Sequence, residues 1–162
     1  MDKLFFAKTN GNSIIPTKRV EDAGYDFYCN FEQESLVINP GDIILIPSGI
    51  ATAFPDNYVL MIKERGSTGS LGLSVRMGII DSGYRAEIFI GINNTSNKIQ
   101  EITKSSNSVV VTEDRVIYPY KKAIAQGLLL KLPKLYSEEI SYDDLKSLKS
   151  QRMFQRLGES NK

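Results

Sequence analysis

Apolar residues fall on every second position between residues 84 and 92. They are Tyr84, Ala86, Ile88, Ile90 and Ile92, and they alternate with Arg85, Glu87, Phe89, Gly91 and Asn93. A period of two residues is typical of a β-strand with one face in a hydrophobic core. We therefore predict a strand over this segment, half buried and half directed away from the core.

Five further apolar segments are predicted to be short strands, because polar turn sequences such as NPGD, FPDN and SSNS separate them. They cover residues 43–46, 50–54, 58–63, 109–112 and 123–132. Many short strands joined by polar turns predict an all-β fold, either a β-sandwich or a barrel. The one predicted helix covers residues 141–149, where Ser141 and Asp144 have the spacing of a capping box.

The segment 96–122 differs in texture from the rest of the chain. It is polar and rich in serine and lysine, and only the runs VVV and VIYPY interrupt it. About 25 residues cannot bury an independent core, so we predict an enlarged β-arm rather than a second domain. The predicted organisation is a β domain over 1–136 that carries this arm, followed by a C-terminal extension over 137–162.

Composition narrows the classes of partner. Twenty Lys and Arg residues against 19 Asp and Glu residues leave a net charge of +1 over 162 residues. The net charge is therefore too small to attract nucleic acid or an anionic membrane electrostatically. The chain has no apolar run near the roughly 20 residues that cross a bilayer, and its single Cys29 forms no internal disulfide. We expect a cytoplasmic protein, with no nucleic-acid or membrane partner and with Cys29 as a small buried hydrophobe.

The absence of histidine restricts the chemistry further. It excludes Ser-His-Asp and Cys-His nucleophiles, and with one cysteine it also excludes zinc sites built from His and Cys. An acid or base must then be Asp, Glu, Lys or Tyr, and a metal must be a hard cation such as Mg²⁺, held by oxygen. Asp81 stands out because it lies between an apolar run and a glycine-bearing turn in RMGIIDSGYRAEIFIGINN.

A second stretch, KERGSTGSLG at residues 63–72, follows a predicted strand. Its glycines and hydroxyl residues provide backbone N–H groups and side-chain donors, and Arg65 adds a permanent positive charge, a combination that suits phosphate oxygens. A flexible hairpin loop explains the same residues equally well. The stretch matches neither the P-loop nor the G-x-G-x-x-G pattern.

Four segments of the chain, taken in order, resemble the first four motifs of the trimeric dUTPases, the deoxyuridine triphosphate nucleotidohydrolases. They are AGYDFY (23–28), ERGST (64–68), GIIDSGYRAE (78–87) and AIAQ (123–126), and the resemblance spans about residues 20–132. It implies a dUTPase-like jelly-roll or β-clip fold and a homotrimer. Enlarged arms before the fourth motif occur in some phage-encoded members, so the resemblance extends to the phage or prophage type.

The resemblance implies a reaction in which dUTP is hydrolysed to dUMP and pyrophosphate. Asp81 matches the aspartate that orients and deprotonates the water attacking the α-phosphorus, and a carboxylate held on a rigid turn suits a general base. By local sequence alone, Asp81 reads as a turn-capping aspartate. Asp26 matches the aspartate that holds Mg²⁺ through coordinated water, although an Asx-turn is its alternative role.

Arg65, Gly66 and Ser67 match the phosphate-contacting run, and Gln126 matches a glutamine of the phosphate network. The family usually has serine at the position of Gly66, so one hydroxyl contact depends on a neighbour, and Ala123 replaces a frequent basic residue.

The resemblance also implies how the nucleoside is selected. Tyr84 matches the aromatic residue that packs against the deoxyribose and leaves no room for a 2′-hydroxyl. Backbone groups of the hairpin that carries Ile79 and Ile80 would pair with uracil, and an amino group at C4 would leave them unpaired.

The C-terminal sequence QRMFQRLGESNK aligns weakly with the family's closing segment. Arg152 takes the place of its arginine, whereas Leu157 stands where an aromatic ring would stack on uracil. Phe154 could substitute if the tail closes differently, and a disordered tail is the alternative. We expect a lid that captures substrate less well than the full motif does.

Two alternative functions are considered. A dCTP deaminase shares the fold, but the position of its catalytic glutamate is occupied by Gly91. The second alternative is a dUTPase-like binding or regulatory protein with weak catalysis, which would account for Gly66, the altered tail and the long arm. In that case the arm is a candidate binding surface for a regulatory protein partner.

Overall fold

The computed structural model describes residues 2–150, which form thirteen strands and two short helices. The strands are β1 (Phe5–Lys8), β2 (Tyr25–Phe27), β3 (Ser35–Ile38), β4 (Ile43–Pro47), β5 (Ile50–Ala53), β6 (Tyr58–Glu64), β7 (Leu73–Arg76), β8 (Ile79–Ile80), β9 (Phe89–Asn94), β10 (Ile99–Thr103), β11 (Val110–Val111), β12 (Arg115–Pro119) and β13 (Ala125–Lys131). The helices are α1 (Gly66–Gly69) and α2 (Tyr142–Ser147). The predicted all-β architecture is confirmed.

The strands are arranged in four small sheets. Their orders are β1-β5, β11-β12-β10-β3, β2-β13-β6-β8 and β4-β9-β7. All pairings are antiparallel except that of β10 with β12. Each sheet directs apolar side chains into one shared core, so the short strands are stabilised by common burial rather than by their own length.

Alternating side chains explain how the individual strands contribute to this core. In β6, Leu60 and Ile62 are fully buried while Lys63 is exposed, and Phe27 of β2 is fully buried across the same sheet. Gly127 of β13 lies between them, since an added methyl group would approach Phe27 to 2.7 Å. The sequence therefore places a glycine where the side chains of two neighbouring strands already fill the space.

The strand predicted over residues 84–92 is only partly correct. It begins at Phe89, because the backbone at Ile88 crosses to the turn between β4 and β5, where Ser48 Oγ donates to its carbonyl. The expected polar face is also wrong beyond this point, since Gly91 and Asn93 are buried. Asn93 is satisfied there by donating to the carbonyls of Gly41 and Asp42.

The other predicted strands are confirmed with small shifts of their ends, although the segment 109–112 retains only the two residues of β11. The expected arm at 96–122 is β-structured, and it is more than a protrusion. Its strands β10 and β12 bring Ile102 and Tyr118 into the shared core, where both are fully buried. Strands β1, β2, β3, β7, β8, β10 and β12 were not predicted.

The chain divides into two compact units, Met1–Leu132 and Pro133–Lys162. The described part of the second unit contains α2, which begins where the sequence predicts: Ser141 Oγ accepts a hydrogen bond from the Asp144 N–H at 3.0 Å. The helix ends at Ser147 rather than at residue 149. The division into a β domain over 1–136 and a lid over 137–162 stays a prediction.

Candidate active site

A cleft of about 320 Å³ lies at one end of the sheet β2-β13-β6-β8. The strand register brings its residues together, because Gln126 of β13 is opposite both Asp26 of β2 and Lys63 of β6. Arg65 follows directly after β6 and starts α1. The cleft is lined by Arg19, Asp22, Ala23, Gly24, Asp26, Arg65, Gly66, Ser67 and Gln126. The structure thus brings together five residues that the sequence assigns to phosphate and metal binding.

An ion pair lies on the floor of this cleft. Arg65 Nε is 2.9 Å from Asp26 Oδ1, and Arg65 NH1 also donates to the carbonyl of Ala123 at 3.4 Å. Both side chains are about one-third exposed, which leaves them accessible to a ligand. The predicted phosphate-binding cation and the predicted metal-binding carboxylate are therefore each other's partners in this structure.

The turn of α1 is held by the buried side chain of Thr68. Its Oγ1 accepts from the Arg65 N–H at 3.0 Å and donates to the Arg65 carbonyl at 3.1 Å, and the side chain is completely buried. This fixes Gly66 and Ser67 at the cleft, and no atom lies within 4 Å of where a side chain of Gly66 would begin. The missing hydroxyl at Gly66 accordingly leaves open space beside the cleft.

Gln126 is oriented by two contacts with the backbone. Its Nε2 donates to the carbonyl of Glu64 at 3.0 Å, and Gly24 approaches so closely that an added methyl group would lie 2.9 Å from Gln126 Oε1. Glu64 is itself fixed: burial favours its neutral form, but hydrogen bonds from its own backbone and from the Val75 N–H lower its pKa. Gln126 is therefore positioned by the strand end that also carries Arg65.

The segment that carries Asp81 belongs to no hairpin in the sheet pairings of residues 2–150, because β8 pairs with β6 and β9 pairs with β4 and β7; it is fixed where the chain crosses between two sheets. The carbonyl of Gly78 accepts from the Ile62 N–H at 2.6 Å, and a methyl group at Gly78 would lie only 2.2 Å from the Ile62 oxygen. Just before it, Met77 has a φ of 58°, the one positive φ at a non-glycine among residues 2–150. Met77 is 67% exposed, so its left-handed backbone is imposed by the crossing and not by burial of its side chain.

The turn after β8 presents Asp81 to solvent. The Tyr84 N–H donates to the carbonyl of Asp81 at 3.0 Å, and the Tyr84 hydroxyl donates to the carbonyl of Glu87 at 2.9 Å. A second cavity, of about 520 Å³, opens beside this turn. It is lined by Leu45, Met77, Gly78, Ile79, Ile80, Asp81, Tyr84, Ile88 and Phe89. One carboxylate therefore stands at the edge of a largely apolar cavity.

The two cavities have no lining residue in common. Ile80 pairs with Leu60 near the start of β6, whereas Arg65 follows its end. The strand from Leu60 to Arg65 runs about 17 Å at roughly 3.3 Å per residue. Within one chain, the structure groups Asp26, Arg65, Gly66, Ser67 and Gln126 in one place and Ile79, Ile80, Asp81 and Tyr84 in another.

Sequence reasoning missed residues at both cavities. Arg19 and Asp22 line the first one, and the available signal was the basic pair followed by an acidic pair in TKRVED, directly before AGYDFY. Met77 and Phe89 line the second cavity, but their apolar side chains carry no sequence signal that separates them from core residues. Arg152, Phe154 and Leu157 lie outside the described residues.

Asp26 suits a water-mediated Mg²⁺ site. Mg²⁺ keeps several waters and needs only one or two protein carboxylates beside phosphate oxygens. Within residues 2–150, no cluster of three or more His, Cys, Asp or Glu side chains could enclose a metal ion by itself. The donor set therefore fits a cation that a phosphate ligand shares, and not a closed protein site.

Comparison with known proteins agrees with this fold and with these motifs. The family model for dUTPase matches residues 11–107. The chain belongs to the dUTPase family.

None of the helices among residues 2–150 is long and apolar enough to span a membrane.

Two kinds of relative illustrate the similarity. A deoxyuridine 5′-triphosphate nucleotidohydrolase of Caldanaerobacter subterraneus subsp. tengcongensis is 33% identical, over 65% of this chain and 82% of that protein. The Pol polyprotein of caprine arthritis encephalitis virus is 38% identical over 61% of this chain. The chain spans only 8% of that polyprotein and 10% of the Pol polyprotein of an ovine maedi visna related virus.

Solved structures share the fold at lower identity. A dUTPase of Staphylococcus phage 80alpha superposes with a TM-score of 0.72 over 98% of both chains, at 20% identity. A dUTPase of phage phi11 of S. aureus, whose structure concerns the coordination of a structural Mg(II) ion, has a TM-score of 0.66 over 87% of this chain and 99% of its own, at 20% identity.

Proposed function

We propose that this protein hydrolyses dUTP to dUMP and pyrophosphate. The observation that carries the proposal is the turn that exposes Asp81 and Tyr84 beside an apolar cavity, in a chain that also has a cleft with Arg65 and Asp26. The names of the similar nucleotidohydrolases agree with this activity. The match of residues 11–107 to the dUTPase family supports it as well.

Asp81 is proposed as the general base. Its main chain is held by the Tyr84 N–H, and its carboxylate is exposed, so it can orient a water molecule and accept its proton as that water attacks the α-phosphorus. Charge then develops on the leaving pyrophosphate, and Arg65, Ser67 and the N–H of Gly66, which line the first cleft, are proposed to stabilise it. Mg²⁺, bound near Asp26 through water, would supply additional positive charge to the phosphates.

Ile79 and Ile80 are proposed to recognise uracil through their backbone. Strand β8 is at the edge of its sheet, so the side that faces away from β6 has unpaired donors and acceptors. These groups can pair with the O4 and N3–H of uracil, whereas cytosine would leave them unsatisfied. Tyr84 lines the same cavity and is proposed to pack against the deoxyribose.

The active site is proposed to form between copies of the chain in a homotrimer. The two cavities share no lining residue, and Leu60 and Arg65 are about 17 Å apart along the chain, so we propose that Asp81 of one chain and Arg65 of another contact the same triphosphate. Ile43, Leu45 and Phe89 belong to the paired strands β4 and β9 and are exposed in the single chain, and such exposed apolar side chains suit burial in an assembly.

Co-expression of two inactive variants tests the shared site. Asp81→Asn and Arg65→Ala chains should each lack activity, while mixed oligomers regain part of it because some sites receive both intact residues. Sedimentation measures the number of copies. Mixed oligomers without any regained activity would contradict a site formed between chains.

Residues 137–162 are proposed as a lid in which Arg152 binds phosphate. Deletion of residues 150–162 should lower kcat/KM at least about tenfold while the melting temperature changes little, because a lid excludes water and positions substrate without contributing to the core. Steady-state kinetics and thermal unfolding measure the two effects. An unchanged rate would mean that these residues form no lid.

The central experiment is pyrophosphate release from dUTP with Mg²⁺, in parallel with dCTP, dTTP and UTP. We expect release from dUTP alone and its loss on chelation of the metal. Nucleotide binding without any release would favour a dUTPase-like binding or regulatory protein. A cytoplasmic location and the lack of a nucleic-acid partner remain predictions.

The deaminase alternative is disfavoured at Gly91. This residue is buried in β9, and an added methyl group would lie 2.8 Å from the carbonyl oxygen of Arg76. No room exists there for a glutamate, so the acid and base that deamination needs are lacking at this position.

A further inference from the structure

The turn at residues 18–22 borders the cleft that Asp26 and Arg65 line. Two of its side chains, Arg19 and Asp22, line the cleft. The cleft therefore contains two cations and two anions, arranged as the ion pairs Arg65–Asp26 and Arg19–Asp22. The two pairs differ in exposure, because the Arg19 side chain is 88% exposed and the Arg65 side chain only 30%.

Several hydrogen bonds hold the Arg19–Asp22 turn in the absence of a ligand. The carboxylate of Asp22 accepts from Arg19 Nε at 3.0 Å, from Arg19 NH2 at 2.9 Å and from the Arg19 N–H at 3.1 Å. Lys18 Nζ closes the turn by donating to the carbonyl of Asp22 at 2.7 Å. The fork thus sets the orientation of the Arg19 guanidinium, which reduces the entropy that a further contact would cost.

One nitrogen of that guanidinium remains available. Within residues 2–150, Arg19 NH1 has no hydrogen-bond acceptor, and the side chain is 88% exposed. The hydrogen bond to Asp22 raises the pKa of Arg19, with smaller contributions from the charges of Asp22 and Asp26, so the group stays charged. Arg65 likewise engages two of its nitrogens, Nε with Asp26 and NH1 with Ala123, but its side chain is much less exposed than that of Arg19.

We propose that Arg19 is a substrate-binding residue that donates from NH1 to the terminal diphosphate of the nucleotide. The inference rests on the proposed function, because the α-phosphate must lie against the turn of Asp81 of a neighbouring chain. The β- and γ-phosphates would then extend into the cleft that Arg65 and Arg19 both line. Arginine suits this position because its planar donors match phosphate oxygens.

The test compares ligands that do and do not carry the diphosphate. Arg19→Ala should raise the KM for dUTP and the Kd for pyrophosphate with Mg²⁺ about tenfold or more, the usual cost of one charge-assisted hydrogen bond. Inhibition by dUMP should change less than twofold, since dUMP lacks the group that Arg19 contacts. Equal weakening of dUMP and dUTP would overturn the proposal.

Two controls separate contact from background charge. Lys8→Ala also removes one exposed positive charge, but Lys8 lies in β1 and does not line the cleft, so this variant should leave all three constants within twofold. Arg19→Ala also leaves the carboxylate of Asp22 unpaired, and this negative charge would repel the phosphates. The double variant Arg19→Ala/Asp22→Asn removes that charge. We expect the tenfold loss to persist in the double variant, and recovery of affinity would overturn the proposal.

Calorimetry with pyrophosphate and Mg²⁺ keeps the inference independent of turnover. A wild-type chain that releases no pyrophosphate from dUTP would contradict the proposed function, while the effect of Arg19→Ala on pyrophosphate binding would still decide the role of Arg19. Thermal unfolding of each variant shows whether the turn contributes to the fold. A variant that binds pyrophosphate as the wild type does would refute the inference.

Discussion

Individual residues at the two cavities are held by their neighbours before any nucleotide binds. Asp26 and Arg65 neutralise each other, so the proposed Mg²⁺–triphosphate would exchange their partners instead of meeting isolated charges. An isolated charge in a partly buried cleft would be costly, and the ion pair removes that cost. Binding at this cleft should therefore depend on the metal and the phosphates together.

Replacing Asp81 by asparagine tests the proposed base directly. Asp81→Asn should lower kcat by about three orders of magnitude, because an amide accepts no proton and general-base catalysis contributes roughly 10²–10⁴-fold. The KM for dUTP and the melting temperature should change little, since the side chain is exposed. Asp56→Asn, at an exposed turn, is the control, and near-normal turnover of Asp81→Asn would remove the mechanism.

Met77 provides a test of backbone strain. A non-glycine residue in the left-handed region costs about 1–2 kcal/mol, and glycine recovers most of this despite its larger unfolded-state entropy. Met77→Gly should therefore stabilise the fold by about 0.5–1 kcal/mol in urea unfolding. Met61→Gly, in β6, should destabilise it. Destabilisation by Met77→Gly would show that the exposed side chain packs against another copy of the chain.

At the level of elements, β6 connects the two halves of the proposed site. One end of it pairs with β8, which leads into the turn of Asp81, and the other end leads into α1. Strand β13, which pairs with β6, carries Gln126, and β2, on the other side of β13, carries Asp26. A change that disturbs β6 should consequently affect both cavities at once.

Gly78 is the point at which such a disturbance is most direct. The methyl group of Gly78→Ala would lie 2.2 Å from the Ile62 oxygen, so the crossing must move and its 2.6 Å hydrogen bond must weaken. We expect a loss of about 3 kcal/mol or more in the free energy of unfolding. Gly11→Ala, where nothing lies within 4 Å, should be neutral. Equal stability of the two variants would contradict this packing.

Element prediction succeeded where the pattern was local. The cap of α2 follows from Ser141 and Asp144, and the start of β4 and of β6 follows from apolar runs after polar turns. It failed for Ile88, whose non-strand backbone depends on a hydrogen bond from Ser48, 40 residues away. No local pattern reports such a partner.

At the scale of the whole molecule, burial of ionisable groups couples stability to alkaline pH. Burial raises the pKa of the Cys29 thiol from its usual value near 9 to about 12, and it raises the pKa of the Tyr118 hydroxyl to about 12. The unfolded chain ionises these groups first. Their contribution to stability is therefore complete below about pH 9 and is lost as the pH rises towards about 12.

Urea unfolding between pH 7 and pH 11 should show this decline. The variants Cys29→Ala and Tyr118→Phe remove one group each and should flatten the slope above pH 9, although both lower stability at pH 7. Burial also raises the pKa of Tyr28 and Tyr120, so some slope should persist in the variants. An unchanged slope in both variants would contradict the coupling.

The sequence by itself determined the all-β class, the absence of histidine chemistry and the motifs that name Asp26, Arg65, Asp81 and Tyr84 as candidates, because these depend on residue type and local order. Only the tertiary structure paired Arg65 with Asp26, placed Arg19 in the same cleft and separated that cleft from Asp81. Strand register decides which distant residues meet, and it is set by burial in the shared core rather than by neighbours along the chain.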